Sequence, residues 1–146
     1  MKLCMIGTGY VGLVSGTCFS DLGNKVICAD VDKNKINQLN SSKIPIYEPG
    51  LEELVKKNLD QKKLSFTTDI ISAIKESDII FICVGTPTKK KSNTADLKHV
   101  FQAVNLIAQN INKYKIIVTK STVPVTTGDK IEKIIKSKNR KKKFDV

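Results

Sequence analysis

Three glycines at fixed spacing, Gly7, Gly9 and Gly12, separate the apolar run Leu3-Cys4-Met5-Ile6 from a helix-forming stretch in "IGTGYVGLVSG". Glycine inside a helix costs roughly 1 kcal/mol against alanine, so this density needs a reason. The order strand, G-x-G-x-x-G, helix supplies one. Gly7 permits a tight turn, and Gly9, lacking a Cβ, lets an anion approach the backbone. Gly12 lets the helix sit close on a sheet, a contact that Gly16 extends one turn later. The unpaired N–H groups and positive end of the helix then face a pyrophosphate.

The rest of the chain builds the sheet such a turn requires. Short apolar runs alternate with stretches of helical period, the signature of βαβ units. The pattern predicts strands at Lys2–Ile6, Lys25–Asp30, Leu64–Thr67, Ile79–Val84 and Lys115–Thr119. It predicts helices at Tyr10–Leu22, Lys33–Asn40, Leu51–Asp60, Asp69–Glu76, Leu97–Asn110 and Thr127–Ser137. In the fifth helix Val100, Val104, Ile107, Ala108 and Ile111 line one face. Nearly unbroken apolar strands suit a parallel sheet covered on both sides. The expected class is therefore α/β: a Rossmann-type doubly wound parallel sheet with helices on both faces, in strand order 3-2-1-4-5-6. Phe144-Asp145-Val146 reads as a sixth strand truncated at the C-terminus, so residues 1–146 are expected to be one domain of a longer protein. The stretch "KSKNRKKK" is expected to be unstructured.

The second predicted strand ends in Asp30. A carboxylate there can accept hydrogen bonds from both ribose hydroxyls of an adenosine and repels a 2′-phosphate, which favours NAD over NADP. Lys33 and Lys35 partly offset that repulsion. The alternative is a glycine-rich turn without a ligand and an aspartate that merely ends a strand; it leaves the agreement of strand, turn, helix and carboxylate to coincidence.

Two further stretches, "VGTPT" (Val84–Thr88) and "KSTVP" (Lys120–Pro124), follow the fourth and fifth strands. Open α/β sheets bind ligands at those carboxyl ends. In each, a proline fixes the backbone soon after a threonine hydroxyl, Thr86 and Thr122. Both fit ligand contacts or turn and capping residues. Thr126 with Asp129 is expected to cap the sixth helix, which turns Thr122 toward the ligand reading. Thr86 stays open.

Charge and cysteine content narrow the class. The formal net charge is +11, and most of it sits in Lys89, Lys90 and Lys91 and in Lys136, Lys138, Arg140, Lys141, Lys142 and Lys143. Basicity confined to one loop and one tail, with no aromatics interleaved for base stacking, reads first as solvated surface. An anionic small molecule is the second reading, and no nucleic-acid partner is expected. An apolar share of 40% and a charged share of 27% are those of a globular chain. No apolar run approaches the ~18 residues of a membrane span. No membrane association and a cytoplasmic location are expected. Cys4, Cys18, Cys28 and Cys83 match no zinc or redox spacing, so no metal site is expected and the cysteines read as reduced, structural residues.

Together, "IGTGYVGLVSG", "PIYEPGLEEL" (Pro45–Leu54), "VGTPT" and "KSTVPVTTG" (Lys120–Gly128) resemble, in order and across the whole chain, the UDP-glucose/GDP-mannose dehydrogenase family. The resemblance implies a two-step, NAD-dependent oxidation of a sugar C6 alcohol to a carboxylate, with UDP-glucose as the leading nucleotide-sugar substrate. GDP-mannose or a UDP-N-acetylhexosamine is the alternative within the class, and a stand-alone NAD-binding module without catalysis the alternative outside it. By position, Gly7, Gly9, Tyr10, Val11 and Gly12 would cradle the pyrophosphate, and Asp30 and Lys35 would hold the adenosine ribose. Thr86 and Thr122 would contact the cofactor nearer the nicotinamide. Tyr10, Val11 and Lys35 enter through the resemblance alone. It also implies a nucleophilic cysteine, a central helix and a nucleotide-sugar-binding domain beyond Val146, no catalytic residue within this chain, and a homo-oligomer for the complete protein. Within "PIYEPG", Pro49 and Gly50 suit the start of a helix, a structural role that stands open beside ligand contact.

Overall fold

Strands and helices alternate along the computed structural model, which describes residues 1–89, 92, 94–139, 141 and 143–146. In chain order they are β1 (Lys2–Ile6), α1 (Tyr10–Asp21), β2 (Lys25–Ala29), α2 (Lys33–Asn40), α3 (Leu51–Asp60), β3 (Leu64–Thr67), α4 (Ile70–Glu76), β4 (Ile79–Ile82), α5 (Lys98–Asn110), β5 (Lys115–Thr119), α6 (Thr127–Lys138) and β6 (Phe144–Asp145). The sheet runs β3-β2-β1-β4-β5-β6, and every pairing is parallel. The chain starts in the middle, winds outward to β3, crosses back to β4 and winds the other way. That reversal puts a crevice between the carboxyl ends of β1 and β4, where Ile6 lies opposite Ile82.

The apolar strands are explained by which faces they cover. Leu3, Met5, Val26, Cys28, Leu64 and Phe66 turn to one side and pack with Leu13 of α1, Ile36 and Leu39 of α2, and Leu51 and Val55 of α3. Cys4, Ile6, Ala29, Ile80, Ile82 and Ile117 turn to the other, against Ala73 and Ile74 of α4, Val104 and Ile107 of α5, and Ile131 and Ile135 of α6. A strand buried on both faces has no use for alternating polar residues. Lys115 is the exception: it is fully buried, yet its Nζ donates to the Lys75 carbonyl at 3.2 Å and the Ser77 carbonyl at 2.5 Å, where α4 ends. Burial lowers its pKa from the ordinary 10.5.

Element boundaries depart from the sequence expectation at a few ends. β4 stops at Ile82 and not at Val84, because β1 turns away at Gly7 after Cys83 N–H has bonded the Ile6 carbonyl at 2.8 Å. β2 stops at Ala29, with Asp30 turned into a side-chain network described below. The stretch expected to be unstructured is helical at its start, since α6 continues through Lys136, Ser137 and Lys138, with its exposed side chains on a turn anchored by the buried Ile135. Lys90 and Lys91 of the first basic cluster, and Arg140 and Lys142 of the second, lie outside the described residues. Among the described residues no helix is long and apolar enough to cross a membrane, and no His, Cys, Asp or Glu cluster could hold a metal.

Candidate cofactor cleft at the β1–β4 switch point

The glycine turn divides into positions that pack and one that opens. Gly7 has φ +101°, donates its N–H to the Ala29 carbonyl at 2.8 Å, and would bring a Cβ within 2.8 Å of the Cys83 carbonyl oxygen. A Cβ on Gly12 would lie 1.9 Å from the Gly7 carbonyl oxygen, and one on Gly16 2.6 Å from the Cys28 Sγ. These three hold the turn and α1 against the sheet. A Cβ on Gly9, by contrast, would meet no atom of the described residues within 4 Å. Gly9 also heads α1, with no side-chain cap behind it and no acidic residue in the first turn. By helix geometry the N–H groups of Tyr10, Val11 and Gly12 have no intrahelical acceptor, so an anion at the exposed turn can take them.

Asp30 lies at the next strand end, half-buried. Its Oδ2 accepts from the Thr8 N–H at 2.8 Å, the Thr8 hydroxyl at 2.7 Å and Lys35 Nζ at 3.2 Å, while among the described residues Oδ1 accepts only from the Asp32 N–H at 3.1 Å. Burial pushes the carboxyl pKa up, but the Thr8 bonds, the Asp32 bond and the Lys35 charge outweigh it and hold the group below 3.8. An ionised carboxylate whose Oδ1 accepts a single bond among the described residues has a lone pair left to accept from a hydroxyl. Thr8, inside the glycine motif and fully buried, ties the anion turn to that carboxylate. Sequence reasoning passed over it as one of the motif's variable positions, and only the 22-residue return of β2 to β1 exposes its partner.

The two threonine loops lie side by side across the crevice. Ser121 Oγ donates to the Val84 carbonyl at 2.7 Å, and both Lys120 and Ser121 N–H groups reach the Ile82 carbonyl at 3.0 Å. Ser121 was not singled out from sequence, where nothing marks it from other turn serines. Thr86 is partly buried and Thr122 exposed, and neither hydroxyl is bonded among the described residues. The expected cap by Thr126 and Asp129 is not formed. Thr126 sits at the helix start with a left-handed backbone, φ +74°, unlike the extended backbone of a capping residue, and makes no capping bond. Thr127 instead donates its hydroxyl to the Pro124 carbonyl at 2.7 Å.

Tyr10 leans the other way. Its hydroxyl donates to the Tyr47 carbonyl at 3.0 Å and to Glu48 Oε2, and the Glu48 bond holds the phenol above its ordinary pKa of 10. Gly50, at φ +77°, then starts α3, one of the two roles left open for it. The cysteines stand apart from this chemistry. Cys4 and Cys83 are pushed up to about 12 by burial, Cys28 is raised well above 9.0 by the same cause, and Cys18 is exposed on α1.

The family model described as UDP-glucose/GDP-mannose dehydrogenase family, NAD binding domain, matches residues 1–146. The UDP-glucose 6-dehydrogenase TuaD of Bacillus subtilis (strain 168) is 54% identical over 146 residues, 99% of this chain and 32% of that protein. The UDP-glucose 6-dehydrogenase of Rhizobium meliloti (strain 1021) is 50% identical over 95% of this chain and 32% of its own. A crystal structure of a GDP-mannose dehydrogenase ternary complex from Pseudomonas aeruginosa superposes with a TM-score of 0.93 at 37% identity, over 100% of this chain and 35% of that one. The chain thus spans about a third of the length of the relatives it matches.

Proposed function

Because the chain belongs to the UDP-glucose/GDP-mannose dehydrogenase family, as its NAD-binding domain, we propose that NAD lies across the β1–β4 crevice in one defined direction. In this reading the N–H groups of Gly9, Tyr10, Val11 and Gly12, on the turn that Gly7 allows, take the pyrophosphate. Asp30 accepts from the adenosine ribose through its less occupied Oδ1, and Lys35 gives up part of its bond to Asp30 to donate to the same sugar. Thr86 and Thr122, on the adjoining loops and with hydroxyls unbonded among the described residues, face the nicotinamide end in this reading. Bound NAD supplies the hydride acceptor; the chain's residues bind and orient it. The observation that carries the reading is the empty space in front of Gly9, set against the packed surroundings of Gly7, Gly12 and Gly16.

The activity proposed for the complete enzyme is oxidation of UDP-glucose at C6 to the carboxylate in two NAD-dependent steps, in the cytoplasm. The relatives at 50–54% identity support that substrate. GDP-mannose is the second reading, favoured by the structural neighbour. None of Cys4, Cys18, Cys28 and Cys83 is proposed as a nucleophile, because three are buried with raised pKa values and Cys18 lies on α1, off the crevice.

Calorimetric titration with NAD and NADP tests the cofactor reading. NAD is expected to bind, and NADP to bind far more weakly. Asp30→Ala is expected to lose about 1–3 kcal/mol of NAD affinity, the scale of a hydrogen bond to a charged group. Equal affinity for both cofactors overturns the assignment of Asp30. Assaying the complete enzyme with UDP-glucose and GDP-mannose in turn separates the two substrates.

A further inference from the structure

The stretch "PIYEPG" contributes no residue to the proposed cofactor contacts, yet it is built against them. From Lys43 to Pro49 alternate residues face outward: Lys43, Pro45, Tyr47 and Pro49 are exposed, while Ile44, Ile46 and Glu48 turn inward. Ile44 and Ile46 pack on the core that holds Leu13, Leu51 and Val55. Glu48 continues the inward row at the rim, where its carboxylate meets the Tyr10 hydroxyl beside the Tyr47 carbonyl. Tyr10 is the first residue of α1. The opposite end of α1 is tied to the same part of the chain, since Asp21 Oδ1 accepts from Lys57 Nζ at 2.7 Å and from Asn58 Nδ2 at 3.1 Å. α1 is therefore fastened at both ends to α3 and the segment leading into it.

We propose that Glu48 is a positioning residue of the cofactor cleft, acting through Tyr10 to lock segment 44–50 onto the first turn of α1. The lock holds the Tyr10 and Val11 N–H groups in their anion-facing orientation before the cofactor arrives, so that binding does not have to order them. A carboxylate so close to a pyrophosphate site repels the ligand, and the tether has to outweigh that repulsion. The two effects separate chemically: glutamine keeps the acceptor and drops the charge, whereas alanine drops both. This inference rests on the NAD reading above, and its test is arranged to tell the two apart.

The experiment measures NAD affinity by calorimetry and amide hydrogen exchange without cofactor, for the parent chain, Tyr10→Phe, Glu48→Ala, Glu48→Gln and the double variant Tyr10→Phe/Glu48→Ala. Tyr10→Phe and Glu48→Ala are each expected to weaken NAD binding about three- to tenfold, the range of one modest hydrogen bond. The double variant is expected to be no weaker than the poorer single one, and Glu48→Gln to bind as well as the parent chain or better. Without cofactor, the amides of segment 44–50 and of Tyr10 and Val11 are expected to exchange faster in Tyr10→Phe and Glu48→Ala. Additive losses, a Glu48→Gln as poor as Glu48→Ala, or affinity unmoved by Glu48→Ala overturns the positioning role. If the parent chain binds no NAD, the cofactor reading falls and the positioning role with it, while the exchange data still report whether the tether exists.

Discussion

A methyl group added at Gly9 points into open space, and one added at Gly12 collides with the Gly7 carbonyl oxygen at 1.9 Å. The two residues are indistinguishable in composition and three apart in the chain, so the contrast is a direct test of what each does. Gly9→Val is expected to leave the urea midpoint close to that of the parent chain and to abolish NAD binding, because its side chain occupies the ligand's place. Gly12→Ala is expected to cost about 3 kcal/mol or more of stability, since a backbone carbonyl cannot step aside as a flexible side chain can. Denaturant unfolding combined with calorimetry reads both. A Gly9→Val that unfolds, or that still binds NAD, would refute the division of the motif into packing and opening positions.

Among the elements, α2 shows how a cap serves a site. Asp32 accepts from the Lys35 N–H at 3.0 Å at the start of α2 and donates its own N–H to Asp30. One residue thus starts the helix and orients the carboxylate two positions earlier. Asp32→Ala is expected to cost about 1 kcal/mol of stability through the lost cap. It should also weaken NAD binding by less than Asp30→Ala does, because the Asp32 N–H bond to Asp30 survives the change. Chemical denaturation and calorimetry on the same two variants check the ordering. α6 shows the converse: its start is set by a left-handed threonine, Thr126, and by the Thr127 bond to Pro124, not by a side-chain cap.

For the whole molecule, titration behaviour follows from where the charges sit. Asp21, Asp30, Asp69 and Asp78 all lie below their ordinary 3.8 in the folded chain. Lys57 and Asn58 hydrogen bonds do this at Asp21, Thr8 bonds working against burial at Asp30, Ser72 at Asp69, and Lys113 at Asp78. Each depressed carboxyl contributes stability that is present above its unfolded value and is lost as pH falls through its folded value. The urea midpoint is therefore expected to change little on this account from neutral pH to about pH 5 and to drop below about pH 4. A midpoint that falls steadily from neutrality would contradict these assignments. Thiol chemistry gives a second global reading. Cys18 alone is expected to react with a disulfide reagent in the native chain, and all four cysteines after denaturation, because Cys4, Cys28 and Cys83 are buried. A second fast-reacting thiol in the native chain would mean that the sheet opens on one face.

Local chemistry determined a large part of this protein. Short unbroken apolar runs against stretches of helical period, and the glycine spacing, are properties of neighbouring residues, and from them the parallel sheet, its order and the glycine turn between β1 and α1 were legible. Gly7 and Gly12 could be named as packing positions because a turn with positive φ and a close helix–sheet approach are local demands, and Asp30 could be placed because it follows a strand end. What only the tertiary structure decided are the partners: Thr8 with Asp30, Ser121 with Val84, Tyr10 with Glu48, at separations of 22, 37 and 38 residues. The left-handed Thr126, where a capping pair was expected, belongs with them. A hydroxyl or carboxylate carries no mark of a distant partner, because that partner is chosen by how the crossovers bring loop ends together over the carboxyl edge of the sheet. The pattern along the chain specifies the sheet; the geometry of its closed-up loops selects which side chains meet above it.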